Sequence, residues 1–131
     1  MKKIIRKVYT INSLIEDVWK ALVDPSVIDK WGGGPSKMNA SVGSDFELWN
    51  GDIYGKNVKV EEERILVQEW FGGDWPRPSI VTFKLKNDES NVILELEQLH
   101  VPEDEIDEID KGWDDFYLGP MKNMLESVNT K

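Results

Sequence analysis

The spacing of apolar residues changes repeatedly along the chain, and those changes mark out its elements. From Lys3 to Ile11 the residues Ile4, Ile5, Val8, Tyr9 and Ile11 alternate loosely with charged neighbours, which predicts a first strand. The period then lengthens. Ser13-Leu14-Ile15-Glu16 has the form of a capping box, and Ile15, Val18, Trp19 and Leu22 follow at helical spacing, so a short amphipathic helix is expected. Asp24-Pro25 is a second start signal, an acidic cap before a proline whose fixed φ suits the first helical position. The helix it opens carries Val27, Ile28 and Trp31 and stops at Gly32-Gly33-Gly34-Pro35. Alternation then returns, predicting strands at Met38 to Ala40, Asp45 to Trp49, Ile53 to Glu61, Arg64 to Phe71, Ser79 to Lys86 and Asn91 to Val101. Asn50-Gly51-Asp52, Gly72-Gly73-Asp74 and Asn87-Asp88 are the turn signals between them. Val81, Phe83 and Leu85 share one strand face, as do Val92, Leu94 and Leu96, so one side of the sheet is buried and the other wet. After Pro102, the residues Ile106, Ile109, Trp113, Phe116, Tyr117, Met121, Met124, Leu125 and Val128 fall three and four apart. They predict a long C-terminal helix laying one stripe on the sheet, with a kink at Gly119-Pro120.

These elements in this order predict an α+β architecture: a curved antiparallel sheet of about six or seven strands, two short helices, and a long C-terminal helix across the concave face. A cavity would form between helix and sheet. The length of 131 residues suits one domain, 1–131, and a composition of 40% hydrophobic and 10% aromatic residues supplies apolar area for its core. A formal net charge of −9 repels polyanions, so neither nucleic acid nor an anionic membrane is expected as a partner. The basic residues Lys2, Lys3, Arg6 and Lys7 read as the solvated, aggregation-resistant edge of a sheet. There is no cysteine, hence no disulfide framework, thiolate metal site or cysteine nucleophile, in keeping with a reducing cytoplasm, and no apolar run reaches membrane-spanning length.

Candidate chemistry is sparse. One histidine, no cysteine and no G-x-S-x-G turn leave a nucleophilic triad without its parts. His100 has no histidine partner at helical spacing, and the acidic residues form no calcium-loop pattern; no metal or other cofactor is implied. Gly32 to Gly34 with Ser36 and Lys37 departs from the phosphate-loop spacing and reads as a connector at a cavity mouth. The inward face Val92, Leu94, Leu96 continues in phase to Gln98 and His100, which are either a hydrogen-bonded pair at the core's rim or polar anchors in an apolar ligand cavity. Trp31, Trp49, Tyr54, Trp75, Phe83, Trp113 and Tyr117 are the aromatic candidates, for core packing or for recognition.

Several motifs taken together resemble the C-terminal domain of activators of the heat-shock protein 90 ATPase, a branch of the START/polyketide-cyclase (birch-pollen-allergen-like) superfamily. They are VWKALVDP (Val18 to Pro25), FELWNGDIYGKN (Phe46 to Asn57), EW (Glu69-Trp70), WP (Trp75-Pro76), VTFKL (Val81 to Leu85), VP (Val101-Pro102) and GWDDFYLGPMKNML (Gly112 to Leu125). The resemblance implies a helix-grip fold and a non-enzymatic, co-chaperone-like module with heat-shock protein 90 as partner. It also implies an alternative, a carrier or sensor of a small hydrophobic ligand held under the C-terminal helix. A cyclase or hydrolase using His100 or a buried carboxylate is a third reading. Two-domain members of the family accelerate the chaperone's ATP turnover, and much of their chaperone contact comes from an additional N-terminal domain for which these 131 residues leave no room.

Overall fold

A computed structural model describes residues 4–73 and 75–128. Lys2 and Lys3 of the basic start, Asp74 of the second glycine turn and the side chain of Val128 lie outside the described residues. Strand β1 (Ile5–Ile11) leads into helices α1 (Ile15–Val23) and α2 (Pro25–Trp31). Strands β2 (Asp45–Leu48), β3 (Ile53–Glu61), β4 (Ile65–Gly72), β5 (Ser79–Asp88) and β6 (Asn91–Leu99) then form a meander. All neighbours are antiparallel in the order β1-β6-β5-β4-β3-β2, so the first strand closes the sheet beside the last. The C-terminal helix runs as α3 (Ile106–Gly112), a π turn (Trp113–Leu118) and α4 (Gly119–Val128). This is the helix-grip arrangement of a curved sheet clasped by one long helix. Among the described residues the sheet has six strands.

The local signals explain most of these boundaries. Asp24 caps α2 by accepting from the Ser26 amide at 3.0 Å, with Pro25 behind it, and Gly32 ends the helix in the left-handed region at φ 107. The capping box at Ser13 does not form. Helix α1 begins one residue later than that motif requires, Leu14 is the cap, and the Ser13 hydroxyl turns to the Leu14 carbonyl. No strand forms at Met38 to Ala40. Lys37 makes a single bridge to Glu47, after which the buried Asn57 side chain ties down the loop by donating to the Asn39 carbonyl at 2.6 Å, so a side-chain amide replaces a strand ladder. Strand β5 extends through Asn87 and Asp88, and the turn falls on Glu89-Ser90, with Glu89 at φ 58. A bulge between Asn57 and Lys59 bends β3 and leaves Val58 exposed.

At Gly119-Pro120 the helix stays within helical φ and ψ, and the disturbance appears in the turn before it. Pro120 has no amide to donate, and the π turn re-registers the preceding hydrogen bonds. Gly119 makes that turn possible, because a β-carbon there would sit 2.0 Å from the Asp114 carbonyl oxygen. The wide turn keeps Trp113, Tyr117, Met121 and Leu125, at strict four-residue steps, on the buried side together with Leu118. Phe116, expected in the buried stripe, is 64% exposed.

The core is one cluster between helix and sheet. Leu66, Val81, Phe83, Leu94 and Leu96 rise from the strands to meet Trp113, Tyr117 and Met121, and α1 and α2 add Val18, Leu22, Ile28 and Trp31 at one end. Each large apolar side chain so buried contributes about 2 kcal/mol or more. A polar clasp fastens the helix to edge strand β1. Lys7 reaches Asp114 at 2.9 Å and Asp110 at 3.2 Å, Tyr9 donates to Asp114 at 2.5 Å, Lys122 donates to the Thr10 carbonyl at 2.9 Å, and Glu126 accepts from the Asn12 amide at 3.0 Å. The lysine on the edge strand is thus half of an ion pair, and Arg6 likewise pairs with Glu97.

Candidate functional site

Beneath the π turn, beside the paired ends of β3 and β4, the structure forms an open cavity of about 330 Å³. Its floor is Trp70 on β4 and Ile53 at the start of β3; one side is Trp49 and Asp52 in the turn before β3, and another is Trp75 just after β4. The roof is the helix, with Ile109, Gly112, Trp113, Phe116 and Tyr117. The lining is almost wholly apolar, with Asp52 as its charged member.

Each wall is held in place by identifiable bonds. Trp70 donates its indole N–H to Gln68 Oε1 at 2.8 Å, and Gln68 in turn donates to Asn57 Oδ1 at 2.9 Å, a buried chain running along the sheet. Trp113 donates to Gln98 Oε1 at 2.8 Å. Trp75 reaches Glu105 Oε1 at 3.4 Å. Trp49 and Asn50 occupy positive φ, 49 and 58, a conformation that costs an aromatic residue of order 1–3 kcal/mol. The connector Gly33 to Pro35 secures it: the Trp49 amide donates to the Gly33 carbonyl at 2.7 Å and the Asn50 amide to that of Pro35 at 2.9 Å. The aromatic rings brace one another, Trp70 stacked on Trp113 at 4.9 Å and Tyr117 within 4.8 Å of Trp113 and 4.5 Å of Trp31; each such pair adds about 0.5–1.5 kcal/mol beyond its burial.

Among the described residues two buried polar atoms have no hydrogen-bond partner: Gln98 Nε2 and Tyr117 Oη. Leaving such a group unpaired costs about 1–3 kcal/mol. Burial pushes the Tyr117 phenol well above its ordinary value, so the hydroxyl keeps its proton. Among the described residues no group of three or more histidines, aspartates and glutamates is placed to hold a metal ion.

Of the residues singled out by sequence, Trp49, Trp75, Trp113 and Tyr117 stand in the cavity wall. Trp31 and Phe83 lie behind it: Trp31 is fully engaged, donating to the Ala21 carbonyl at 2.8 Å, and Phe83 supports Trp113 and Tyr117 from below. Gln98 faces inward and orients Trp113. Two expectations fail. Tyr54 is on the outer face, 46% exposed and stacked on Phe71 at 5.5 Å, because it shares its parity with Lys56 and not with Gly55 and Asn57. His100 is exposed: β6 ends at Leu99, and a positive φ of 61 turns the side chain out of the strand's alternation while its carbonyl accepts from Ser79. The wall also includes Trp70, Ile53, Asp52, Ile109, Gly112 and Phe116, which sequence did not single out as candidates. Trp70 carried a readable signal, since it alternates in phase with Leu66 and Gln68 on β4.

Known proteins share this fold. A crystal structure of an HSP90 activator from Plasmodium falciparum superimposes with a TM-score of 0.87 at 19% identity over 95% of this chain and 96% of that one. A Mesorhizobium loti protein does so with 0.83 at 23% identity over 98% of each. Among curated proteins, an uncharacterised protein of Schizosaccharomyces pombe is 25% identical over 119 residues, covering 89% of this chain and 35% of its own length. The human activator of 90 kDa heat shock protein ATPase homolog 1 is 22% identical over 111 residues, 82% of this chain and 32% of its own length. The chain therefore spans about a third of these curated relatives. The family model described as Activator of Hsp90 ATPase homolog 1-like protein matches residues 12–126, and the chain belongs to that family.

Proposed function

We propose that this protein binds a small, flat, largely apolar molecule in the cavity under the C-terminal helix. The observation that carries the reading is the cavity itself: about 330 Å³ of space walled by Trp49, Trp70, Trp75, Trp113 and Tyr117. Large side chains could have filled this space, and interiors ordinarily are filled; here the indoles of Trp70 and Trp113 are instead held by their N–H groups and stacked on each other behind the opening. An almost wholly apolar lining rich in aromatic rings favours an aromatic system over a flexible chain.

The test fills the cavity without touching the core. A side chain at Gly112 would meet only Phe116 Cδ2, at 3.8 Å, so Gly112→Leu projects into the opening and leaves the helix intact. With 2-naphthalenemethanol as probe, titration calorimetry is expected to show saturable binding and heating scans a raised midpoint, because a ligand of the native state stabilises by mass action. Both effects should disappear in Gly112→Leu while its own midpoint holds or rises. Binding undiminished by the leucine would remove this cavity from consideration.

Family membership supports a second reading, contact with heat-shock protein 90. A rise in the chaperone's ATPase rate on adding this protein would support it, and an unchanged rate with no detectable complex would count against it. Gly112→Leu again discriminates: if the filled cavity leaves the chaperone response intact, that partner uses another surface.

A further inference from the structure

Building on the cavity reading, we infer that the ligand is an aromatic cation, a fused two- or three-ring system bearing an amine or a similar positive group. Asp52 is the charged residue in the lining; it is exposed at the rim, and among the described residues no lysine or arginine pairs with it. Glu105 adds a second carboxylate beside the wall, accepting from the Trp75 indole at 3.4 Å. Among the described residues no basic side chain lines the cavity. Tryptophans line the walls, and their electron-rich rings attract cations more strongly than the other aromatic side chains do, an attraction that grows in a site that sheds water.

The surroundings act in the same sense. The acidic start of α3, with Asp107 and Glu108, precedes Ile109 in the wall, and the molecule as a whole carries −9. A carboxylate ligand such as a fatty acid would enter against this field, whereas a cation would be drawn in. Aromatic faces for the ring and a free carboxylate at the mouth for the charge define the class: amphipathic, planar and positive.

Three probes with one ring system separate charge from shape: 2-naphthylmethylamine, protonated at pH 7, 2-naphthalenemethanol, neutral, and 2-naphthoate, anionic. By titration calorimetry in low salt the amine is expected to bind about tenfold tighter than the alcohol, with the naphthoate weakest. Asp52→Asn should collapse the ratio of amine to alcohol toward one, and added salt should narrow it in the unmodified protein. Equal affinity for amine and alcohol, or a ratio untouched by Asp52→Asn, overturns the charge preference while leaving the cavity reading standing. Failure of all three probes to bind overturns both.

Discussion

Tyr117 heads the fully buried side chains by size, and its hydroxyl has no partner among the described residues. Tyr117→Phe should therefore raise the stability of the unliganded protein, by roughly 1 kcal/mol, since it deletes a desolvated group and keeps the ring; chemical denaturation measures this, and a loss of stability would mean the hydroxyl is satisfied. Asp114 is the hub of the clasp. Hydrogen bonds from Lys7 and then Tyr9 hold its carboxyl below the ordinary range. That stabilisation is complete above the ordinary value of about 3.9 and is lost as pH falls through the lower folded value. On the alkaline side, Tyr9 is raised by burial and by Asp114. Lys7 is also raised, because bonds and charges from Asp114 and Asp110 outweigh its burial; both contributions hold at neutral pH and fade as pH climbs through the raised values. Asp114→Asn should lower the thermal midpoint at pH 7 and flatten its decline below pH 4; parallel curves for the two proteins would show the clasp to be energetically silent. Legibility at this scale turned on parity. The alternation through Leu96 correctly carried Gln98 inward, yet it could not reveal that the strand stops at Leu99 and that a positive φ turns His100 away. Tyr54 shared its parity with Lys56, a signal present in the sequence and outweighed by the appeal of an aromatic ring.

Among the elements, the C-terminal helix is where sequence and structure diverge most usefully. Glycine-proline read as a breaker, and the chain answers with a widened turn, a solution invisible to spacing because the apolar stripe continues through it. The two helical glycines then make opposite predictions. Gly112→Ala should stabilise by about 0.5–1 kcal/mol, the usual gain from replacing a helical glycine. Gly119→Ala should destabilise by about 1–3 kcal/mol, because its β-carbon would collide with the Asp114 carbonyl and force the π turn to rearrange. Denaturant midpoints decide it, and two changes of the same sign would argue against the π turn. The bounds of the β3–β4 hairpin were legible to within a residue, whereas β5 runs two residues past its expected end because the turn falls on Glu89-Ser90. Met38 to Ala40 was misread because the feature that organises it, the Asn57 amide, lies far along the chain.

For the whole molecule, the order of periods was enough to recover the layers and the grip of the helix, while the family was legible only in the motifs from Val18 to Leu125; neither could show whether the space beneath the helix is open, since that depends on how large rings divide one volume. Charge is the other global property. The ion pairs among the described residues are largely exposed and individually worth little, whereas −9 acts on every part of the surface. Self-repulsion should dominate, so raising sodium chloride from about 0.01 M to about 0.15 M, which shortens the screening length from roughly 30 Å to 8 Å, is expected to raise the thermal midpoint. A lower midpoint would mean that the ion pairs outweigh the repulsion. The gathering of indoles also gives the protein a built-in optical reporter. Trp31, Trp49, Trp70 and Trp113 are joined by ring contacts through Tyr117, and Trp75 completes the wall, while Trp19 sits apart on α1. Excitation absorbed anywhere in that cluster can pass between neighbours a few ångströms apart, so with Trp19 changed to phenylalanine the emitted light would come from the cavity and its immediate backing alone.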